Sequence, residues 1–239
     1  MQTFRVFVIY IYIYMPILGN RVPYEYFITT GKGESDAGSK FLPYETGSYD
    51  DALYKAGIQN ANVIEYTSVM PTDAKEISKK EGLERLQWGE VVECIKAQAN
   101  GDIGSTISAA IIITAIHDPN GKYLGGFACE YSGSETKNVV EKSLKKSIEG
   151  MIERRGYGTC KDGLQMYKDN ITDKGYKIHP GKVFEYETLN VTKKHGSVLT
   201  AICFVSYKYP ALSNKTGSGK SMRSKNGRVK SRRRRQRQR

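Results

Sequence analysis

The residue pair with the clearest potential for chemistry is Thr67-Ser68, in the stretch Asn62-Val63-Ile64-Glu65-Tyr66-Thr67-Ser68-Val69-Met70-Pro71. β-Branched and aromatic side chains before the pair favour an extended strand, and Pro71 cannot donate to a sheet ladder. The pattern predicts a buried strand that ends in a bend at Thr67 and Ser68. Serine hydroxyls are nucleophiles when activated. On spacing alone, however, the pair is more simply interpreted as strand-end hydroxyls that cap backbone groups.

Carboxylates in two other places have surroundings that suit a chemical role. Glu130 follows Phe127-Ala128-Cys129, and desolvation raises the pKa of a carboxyl in apolar company. The alternative for Glu130 is a solvated residue at a strand end. Asp50 and Asp51 each offer paired oxygens that match the fork of donors on a guanidinium. Either aspartate is alternatively the N-cap of a short helix predicted over residues 50–57.

Cysteines and histidines show no metal-binding pattern. The cysteines are widely spaced and include no C-x-x-C pair, and the histidines are far apart, which argues against a zinc site or a redox motif. Cys129 and Cys203 lie in apolar runs, where we expect them to pack as small hydrophobes, and a reduced cytosolic setting follows. The residues concerned are Cys94, Cys129, Cys160, Cys203, His117, His179 and His195.

Three motifs surround the Thr-Ser pair in a fixed order. Gly31-Lys32-Gly33-Glu34-Ser35-Asp36 lies upstream, residues 49–62 lead into the pair, and Gly125-Gly126-Phe127-Ala128-Cys129-Glu130-Tyr131 follows. Together they resemble the pyruvoyl-dependent arginine decarboxylases, most closely the chlamydial-type enzymes with Thr-Ser at the processing point. The resemblance covers residues 16–207, and several motifs in one order are more specific than any single motif.

The resemblance implies that the chain processes itself. In this family the serine hydroxyl attacks the preceding carbonyl, the resulting ester eliminates, and hydrolysis of the dehydroalanine leaves a pyruvoyl group. Ser68 would be the pyruvoyl precursor, and Thr67 would supply the carbonyl. Asn62 matches the family's asparagine that stabilises the oxyanion, with a turn asparagine as the alternative. Asn62 lies six residues before Ser68, so a bend or a neighbouring strand must present it.

The resemblance also implies the reaction, which is conversion of L-arginine to agmatine and carbon dioxide. A Schiff base to the pyruvoyl group would take up the electrons released with carbon dioxide, so neither pyridoxal phosphate nor a metal is expected. Glu130 matches the family's proton donor. Asp50 matches the aspartate that binds the guanidinium, and Leu53 is expected in the same substrate site. A different amino-acid substrate, or an inactive homologue, remains the alternative.

The elements that position these residues indicate an α+β layered sandwich. An amphipathic helix is predicted over residues 136–155, with one apolar stripe made of Val139, Val140, Leu144, Ile148, Met151 and Ile152. A polar loop is predicted over residues 30–49 and a polar surface excursion over residues 71–89. The resemblance sharpens the fold class to a four-layer αββα sandwich, with trimers or dimers of trimers that share active sites between subunits. The predicted strands are residues 24–29, 63–67, 91–99, 106–116, 123–131, 183–191 and 197–207.

The two ends of the chain differ from its body. Residues 213–239 hold twelve Lys or Arg and no acidic residue, which accounts for the whole formal charge of +12. This basic tail is predicted to be disordered, and its charge would attract nucleic acid or an anionic surface or act as a nuclear address; a tolerated solvated terminus is the alternative. Residues 1–15 are apolar but short for a membrane span, and we treat them as an extension of uncertain status. Residues 16–212 then form the decarboxylase domain, cleaved between residues 67 and 68.

Overall fold

A computed structural model describes residues 20–37 and 44–209. The extension predicted at residues 1–15 and the basic tail at residues 213–239 lie outside the described residues. The helices are α1 (Tyr44–Ala56), α2 (Lys79–Arg85) and α3 (Lys137–Arg154). The strands are β1 (Val22–Pro23), β2 (Glu25–Ser35), β3 (Asn62–Glu65), β4 (Val69–Met70), β5 (Lys75–Glu76), β6 (Val91–Asp102), β7 (Thr106–His117), β8 (Tyr123–Gly133), β9 (Asn170–Ile171), β10 (Lys177–Asn190), β11 (His195–Phe204) and β12 (Tyr207–Lys208).

Most strands in the described residues belong to two five-stranded sheets. The first sheet has the order β3-β6-β11-β2-β5, and the second has the order β4-β8-β7-β10-β9. Neighbouring long strands are antiparallel, whereas the short strands β3 and β5 join the first sheet in parallel to β6 and β2. β1 and β12 pair separately as a short ribbon. The strands that carry the predicted site, β3 and β4, therefore stand at one edge of each sheet.

Apolar packing occurs on both faces of each sheet. One buried cluster includes Ile95 and Ile202 of the first sheet together with Ile111 of the second. A second cluster joins the outer face of the first sheet to α1, and a third joins the outer face of the second sheet to α3. Unbroken apolar runs such as the β7 segment Ala109-Ala110-Ile111-Ile112-Ile113 fit strands that are covered on both faces. The described residues form an α+β fold, as the sequence predicts.

Helix α3 confirms the amphipathic prediction with one correction. Val140, Leu144, Ile148 and Ile152 recur every four residues, and all are buried against the second sheet. Complete burial of such a side chain is worth about 1.5–3 kcal/mol relative to its exposure. Val139, which the sequence places in the same stripe, is exposed, because it lies one position around the helix from that face.

The predicted loop over residues 30–49 is wrong. β2 continues to Ser35, and α1 begins at Tyr44, six residues before the predicted start of that helix. A Cβ atom on Gly31 would collide with the Ala52 carbonyl oxygen, and one on Gly33 would collide with that of Ser48. The glycines let α1 lie directly on β2. A glycine-rich polar segment is thus a helix-packing strand, which local composition does not indicate.

Residues 71–89 also contain more regular structure than the surface excursion that we predicted. They include β5 and α2, and the Ser78 hydroxyl caps α2 by accepting from the Glu81 amide at 3.2 Å. The predicted strands at residues 91–99 and 183–191 are present but longer, because β6 extends to Asp102 and β10 begins at Lys177. Pairing with neighbouring strands extends each strand beyond the stretch that its own composition favours.

The cysteines behave as the sequence predicts, since all are free thiols and Cys94, Cys129 and Cys203 are buried. Burial raises the pKa of the Cys94 and Cys129 thiols to about 12 in each case. Within residues 20–37 and 44–209, no three His, Cys, Asp or Glu side chains cluster as metal ligands would. No helix in these same ranges has the length and apolar content needed to cross a membrane.

Candidate active site

Thr67 and Ser68 lie where the chain passes from one sheet to the other, a segment that we call the crossover (residues 66–68). On the first sheet, the Tyr66 amide donates to the Cys94 carbonyl of β6 at 2.7 Å. On the second, the Ala128 amide of β8 donates to the Ser68 carbonyl at 3.0 Å, just before β4 begins. The predicted strand over residues 63–67 therefore ends at Glu65, and the Thr67–Ser68 peptide connects the two sheets.

The Ser68 side chain contacts the carboxyl group of Glu130. Its hydroxyl donates to Glu130 Oε2 at 3.2 Å, and Glu130 lies on β8 opposite Ile111. Burial raises the pKa of Glu130, and the negative charge of Glu65 adds to this effect, although hydrogen bonds from its own backbone and from Ser68 act in the opposite direction. The prediction of a raised pKa for Glu130 is confirmed. Ser68 and Glu130 are 62 residues apart in the chain and are brought together by the β4–β8 pairing.

The Thr67 carbonyl accepts a hydrogen bond from the Val69 amide at 3.0 Å, which forms a three-residue turn centred on Ser68. This carbonyl is the group that a serine nucleophile at residue 68 would attack. An amide that already faces the carbonyl oxygen can stabilise the negative charge that attack creates, because it need not reorganise. Sequence reasoning missed this donor, since a backbone amide carries no residue signature.

Asn62 does not contact the crossover in this protomer. It begins β3, and Glu65, at the end of the same strand, lies about 10 Å further along. The exposed Asn62 side chain donates to the Gly89 carbonyl at 2.8 Å. In the part of the chain that the structure describes, neither a bend nor a neighbouring strand returns it to Ser68.

Asp50 and Leu53 lie beside a different part of the first sheet. They line a cavity of about 290 Å³ between α1 and β6, which we call the α1 groove, with Thr46, Tyr49, Gln98 and Asn100. Asp50 is exposed, and no hydrogen bond or ion pair joins either residue to Ser68 or Glu130 in the described part of the chain. Asp50 and Leu53, the predicted substrate residues, thus line the same cavity, and no residue of the crossover lines it.

Asp51 points elsewhere, which separates it from its neighbour. Its carboxylate pairs with Lys55 at 2.7 Å, one helical turn later, and it lines another cavity beside Gly31 and Gly33. The adjacent aspartates therefore face different surroundings, and the α1 groove is lined by Asp50. Neither aspartate caps α1, because the helix begins six residues before Asp50.

A buried lysine connects the two regions. Lys96 of β6 is only 5% exposed, and its ammonium contacts Glu65 at 2.9 Å and the Tyr49 hydroxyl at 2.9 Å. Burial disfavours its charge, but the hydrogen bonds that its ammonium donates to Tyr49 and Glu65 outweigh that cost and raise the pKa of Lys96. Sequence reasoning did not single out Lys96, since nothing in the local sequence distinguishes a buried lysine from a solvated one at the edge of a strand.

Comparison with known proteins identifies the family. Residues 25–209 match the model of the pyruvoyl-dependent arginine decarboxylase family. The chain belongs to this family. The pyruvoyl-dependent arginine decarboxylase AaxB of Chlamydia caviae is 29% identical over 203 residues, which cover 80% of this chain and 94% of that protein. AaxB of Chlamydia trachomatis serovar L2 is 28% identical over 206 residues, covering 81% and 96%. Pyruvoyl-dependent arginine decarboxylase 2 of Archaeoglobus fulgidus is 29% identical over 135 residues, covering 56% and 80%.

Membership in this family implies a pyruvoyl prosthetic group, and the surroundings of Ser68 fit one. Ser68 is half-buried, its own carbonyl is held by Ala128, and the Glu130 carboxyl lies within hydrogen-bonding distance of its side chain. A carbonyl in the place of the Ser68 side chain would therefore face a carboxyl whose raised pKa favours the protonated form. The crossover thus offers a fixed backbone and a carboxyl group with a raised pKa at one position.

Proposed function

We propose that the chain is a self-processing decarboxylase that converts L-arginine to agmatine and carbon dioxide, with its pyruvoyl group derived from Ser68. The observation that carries the proposal is the contact of the Ser68 hydroxyl with Glu130 at 3.2 Å, beside the turn that holds the Thr67 carbonyl. A nucleophile, a target carbonyl, an amide donor and a carboxyl thereby meet at one strand crossover in a family named for this prosthetic group.

Processing begins when the Ser68 hydroxyl attacks the Thr67 carbonyl carbon and the Thr67–Ser68 amide becomes an ester. Elimination then releases Thr67 as a carboxylate and leaves dehydroalanine at residue 68, and water replaces its nitrogen as ammonia to leave a pyruvoyl end. The Val69 amide is the donor that this protomer offers to the oxyanion. We retain Asn62 as a second donor, presented by a neighbouring protomer.

Turnover requires a carbonyl, a proton and a site for the guanidinium. The pyruvoyl group supplies the carbonyl that binds the substrate amine and takes up the electrons released with carbon dioxide. Glu130 returns a proton to the substrate carbon, because its raised pKa keeps the carboxyl protonated at higher pH than an ordinary glutamate. No pyridoxal phosphate or metal takes part in this proposal.

Substrate recognition is assigned to the α1 groove of an adjacent protomer. Asp50 receives the guanidinium through paired oxygens, and Leu53 contacts the aliphatic part of the side chain. The separation of Asp50 and Ser68 within one protomer supports trimers, or dimers of trimers, in which each site is shared. Helix packing on the outer faces of two mutually packed sheets supports the four-layer αββα fold, and the free cysteines support a cytoplasmic location.

An assay of agmatine release from L-arginine, across acidic and neutral pH, tests this function. The expected result is equal release of agmatine and carbon dioxide by protein whose chain has been cleaved. A cleaved protein that releases no agmatine from arginine, but decarboxylates another amino acid, would overturn the substrate and leave the reaction class intact. Basic and neutral amino acids serve as the comparison set, because the exposed carboxylate of Asp50 favours the basic ones.

The basic tail supports a second, independent function. Its twelve positive charges and lack of acidic residues favour sequence-independent binding to nucleic acid. Deletion of residues 213–239 should then abolish RNA and DNA binding, which in the full chain should weaken steeply as salt is raised. Unchanged affinity after the deletion would refute a role for the tail in such binding.

A further inference from the structure

A buried carboxylate lies behind the crossover and takes no part in the chemistry proposed above. Glu93 of β6 is 4% exposed, and its carboxylate accepts hydrogen bonds from the Tyr66 hydroxyl and the Arg21 guanidinium. Arg21 also lies over the Tyr207 ring, 5.0 Å from its centre. A carboxylate buried to this degree must be paired or hydrogen-bonded, so these contacts fix its position.

Tyr66 is held at three points. Its amide donates to the Cys94 carbonyl at 2.7 Å, its ring packs against Phe204 with centroids 5.8 Å apart, and its hydroxyl donates to Glu93. Burial and the hydrogen bond with Glu93 raise the pKa of Tyr66 to about 12, so the hydroxyl stays protonated and remains a donor. The residue that precedes the Thr67–Ser68 pair is therefore fixed on the first sheet.

The segment after the cleavage point is fixed on the second sheet, through the Ala128 amide and the β4–β8 pairing. Thr67 itself is exposed, and within residues 20–37 and 44–209 its carbonyl accepts only the short turn contact from Val69. The orientation of its carbonyl toward the Ser68 hydroxyl depends on the anchors at either side. A displacement of about 1 Å in such an arrangement can cost as much as 10²-fold in rate.

We propose that Tyr66, held by Glu93, is a positioning residue for chain cleavage, because it fixes the Thr67 carbonyl within reach of the Ser68 hydroxyl. This inference rests on the proposed self-processing function. Arg21 neutralises the buried carboxylate and thereby maintains the acceptor that Tyr66 needs. The pair touches no reacting atom, so it acts only through the geometry of the peptide that breaks.

The test follows cleavage of the full chain after cell-free synthesis, with translation stopped and samples taken for intact mass. Tyr66→Phe keeps the ring on Phe204 and removes only the hydroxyl, and we expect cleavage to slow about tenfold or more. Tyr26→Phe is the matched control, since Tyr26 is a buried tyrosine that packs on the same Phe204 ring, with centroids 6.0 Å apart. That control should cleave at the unaltered rate.

A double-mutant cycle distinguishes positioning from general destabilisation. Glu93→Leu removes the acceptor of the Tyr66 hydroxyl and should slow cleavage as well. Tyr66→Phe combined with Glu93→Leu should be no slower than Glu93→Leu alone, because the Tyr66–Glu93 hydrogen bond is already lost in the single variant. Melting temperatures of all four variants serve as the measure of stability. Cleavage of Tyr66→Phe at the unaltered rate would overturn the inference. Equal slowing in Tyr26→Phe would also overturn it, as would a double variant whose slowing is the product of the effects of the two single variants. An unaltered chain that never cleaves would instead overturn the proposed function.

Discussion

The crossover and the α1 groove differ in how far one protomer completes them. At the crossover, the β4–β8 pairing brings Glu130 to the Ser68 hydroxyl, and a local turn directs the Val69 amide to the Thr67 carbonyl. Asp50 and Leu53 lie instead on the helix that covers the outer face of the first sheet, without contact to those groups. The difference teaches that one chain carries the groups of the proposed cleavage, whereas the proposed recognition of the substrate requires a second protomer.

Removal of the nucleophile should have the largest effect on cleavage and on agmatine release. Ser68→Ala eliminates the only hydroxyl that the mechanism uses, so we expect a single uncleaved chain and no agmatine release above background. Thr72→Ala is the control, because Thr72 is an exposed hydroxyl residue nearby that contacts only Asp73 in the described structure. Intact mass and the agmatine assay measure both. Cleavage that survives in Ser68→Ala would exclude the mechanism.

Glu130→Gln should separate processing from turnover. The glutamine amide oxygen can still accept the Ser68 hydroxyl, so we expect cleavage to continue, but the amide cannot deliver a proton. Loss of a positioned acid typically lowers the rate by about 10²–10⁴-fold. Comparison of kcat per cleaved chain measures the loss. A cleaved Glu130→Gln protein with an unaltered kcat would show that another group returns the proton.

The α1 groove should show a smaller and more selective effect. Asp50→Asn removes a charged acceptor of the guanidinium, and such hydrogen bonds contribute about 1.5–3 kcal/mol, so KM for arginine should rise by about 10- to 150-fold. Asp51→Asn is the matched neighbour and should change KM little, because its partner is Lys55. Equal effects of the two substitutions would contradict the assignment of Asp50.

Assemblies that mix two variant chains test whether Ser68 and Asp50 of one site come from different protomers. Ser68→Ala and Asp50→Asn chains are each impaired alone, but a shared site made from an intact Ser68 of one chain and an intact Asp50 of the other should regain activity. We therefore expect co-expression of the two variants to restore agmatine release above the sum of the separate proteins. Failure to do so would place both residues in the site of one protomer.

The smallest expected effect is a shift in the pH dependence of turnover, which also tests the role of Glu130. The protonated carboxyl is the active form, and burial raises its pKa, so activity should be retained as pH rises past the range of an ordinary glutamate. Activity should then fall as pH passes the raised pKa. Glu65→Gln removes a nearby negative charge and should move that fall to lower pH. A profile unchanged in Glu65→Gln would indicate that Glu130 does not set it.

The sequence predicts the parts of the molecule whose environment is local. The apolar run before Glu130 indicates a buried strand, which is why the raised pKa could be predicted, although Phe127 and Cys129 pack on the opposite face of β8 and only Ala128 shares the face of Glu130. The apolar periodicity of α3 likewise marks the helix face that packs on a sheet. The apolar runs of β6 and β7 mark strands that are covered on both faces. Ser68 is assigned as the pyruvoyl precursor because three motifs occur in the order found in the family. Its spacing alone would indicate a strand-end hydroxyl.

Other features depend on contacts between distant residues and could not be predicted. Gly31 and Gly33 look like a loop until α1 is placed on them, and Lys96 looks solvated until Tyr49 and Glu65 surround it. The Val69 amide has no side-chain signature at all. Hydrogen bonding between Glu93 and Tyr66 joins residues that are 27 apart, so no local pattern indicates it.

An intact-mass spectrum under denaturing conditions tests whether the chain breaks itself between Thr67 and Ser68. We expect two chains separated at that peptide, with the second beginning in a pyruvoyl group. Strand pairs β1–β12, β2–β11 and β3–β6 join the two parts, so they should copurify before denaturation. A single uncut chain in protein that is folded would contradict the account.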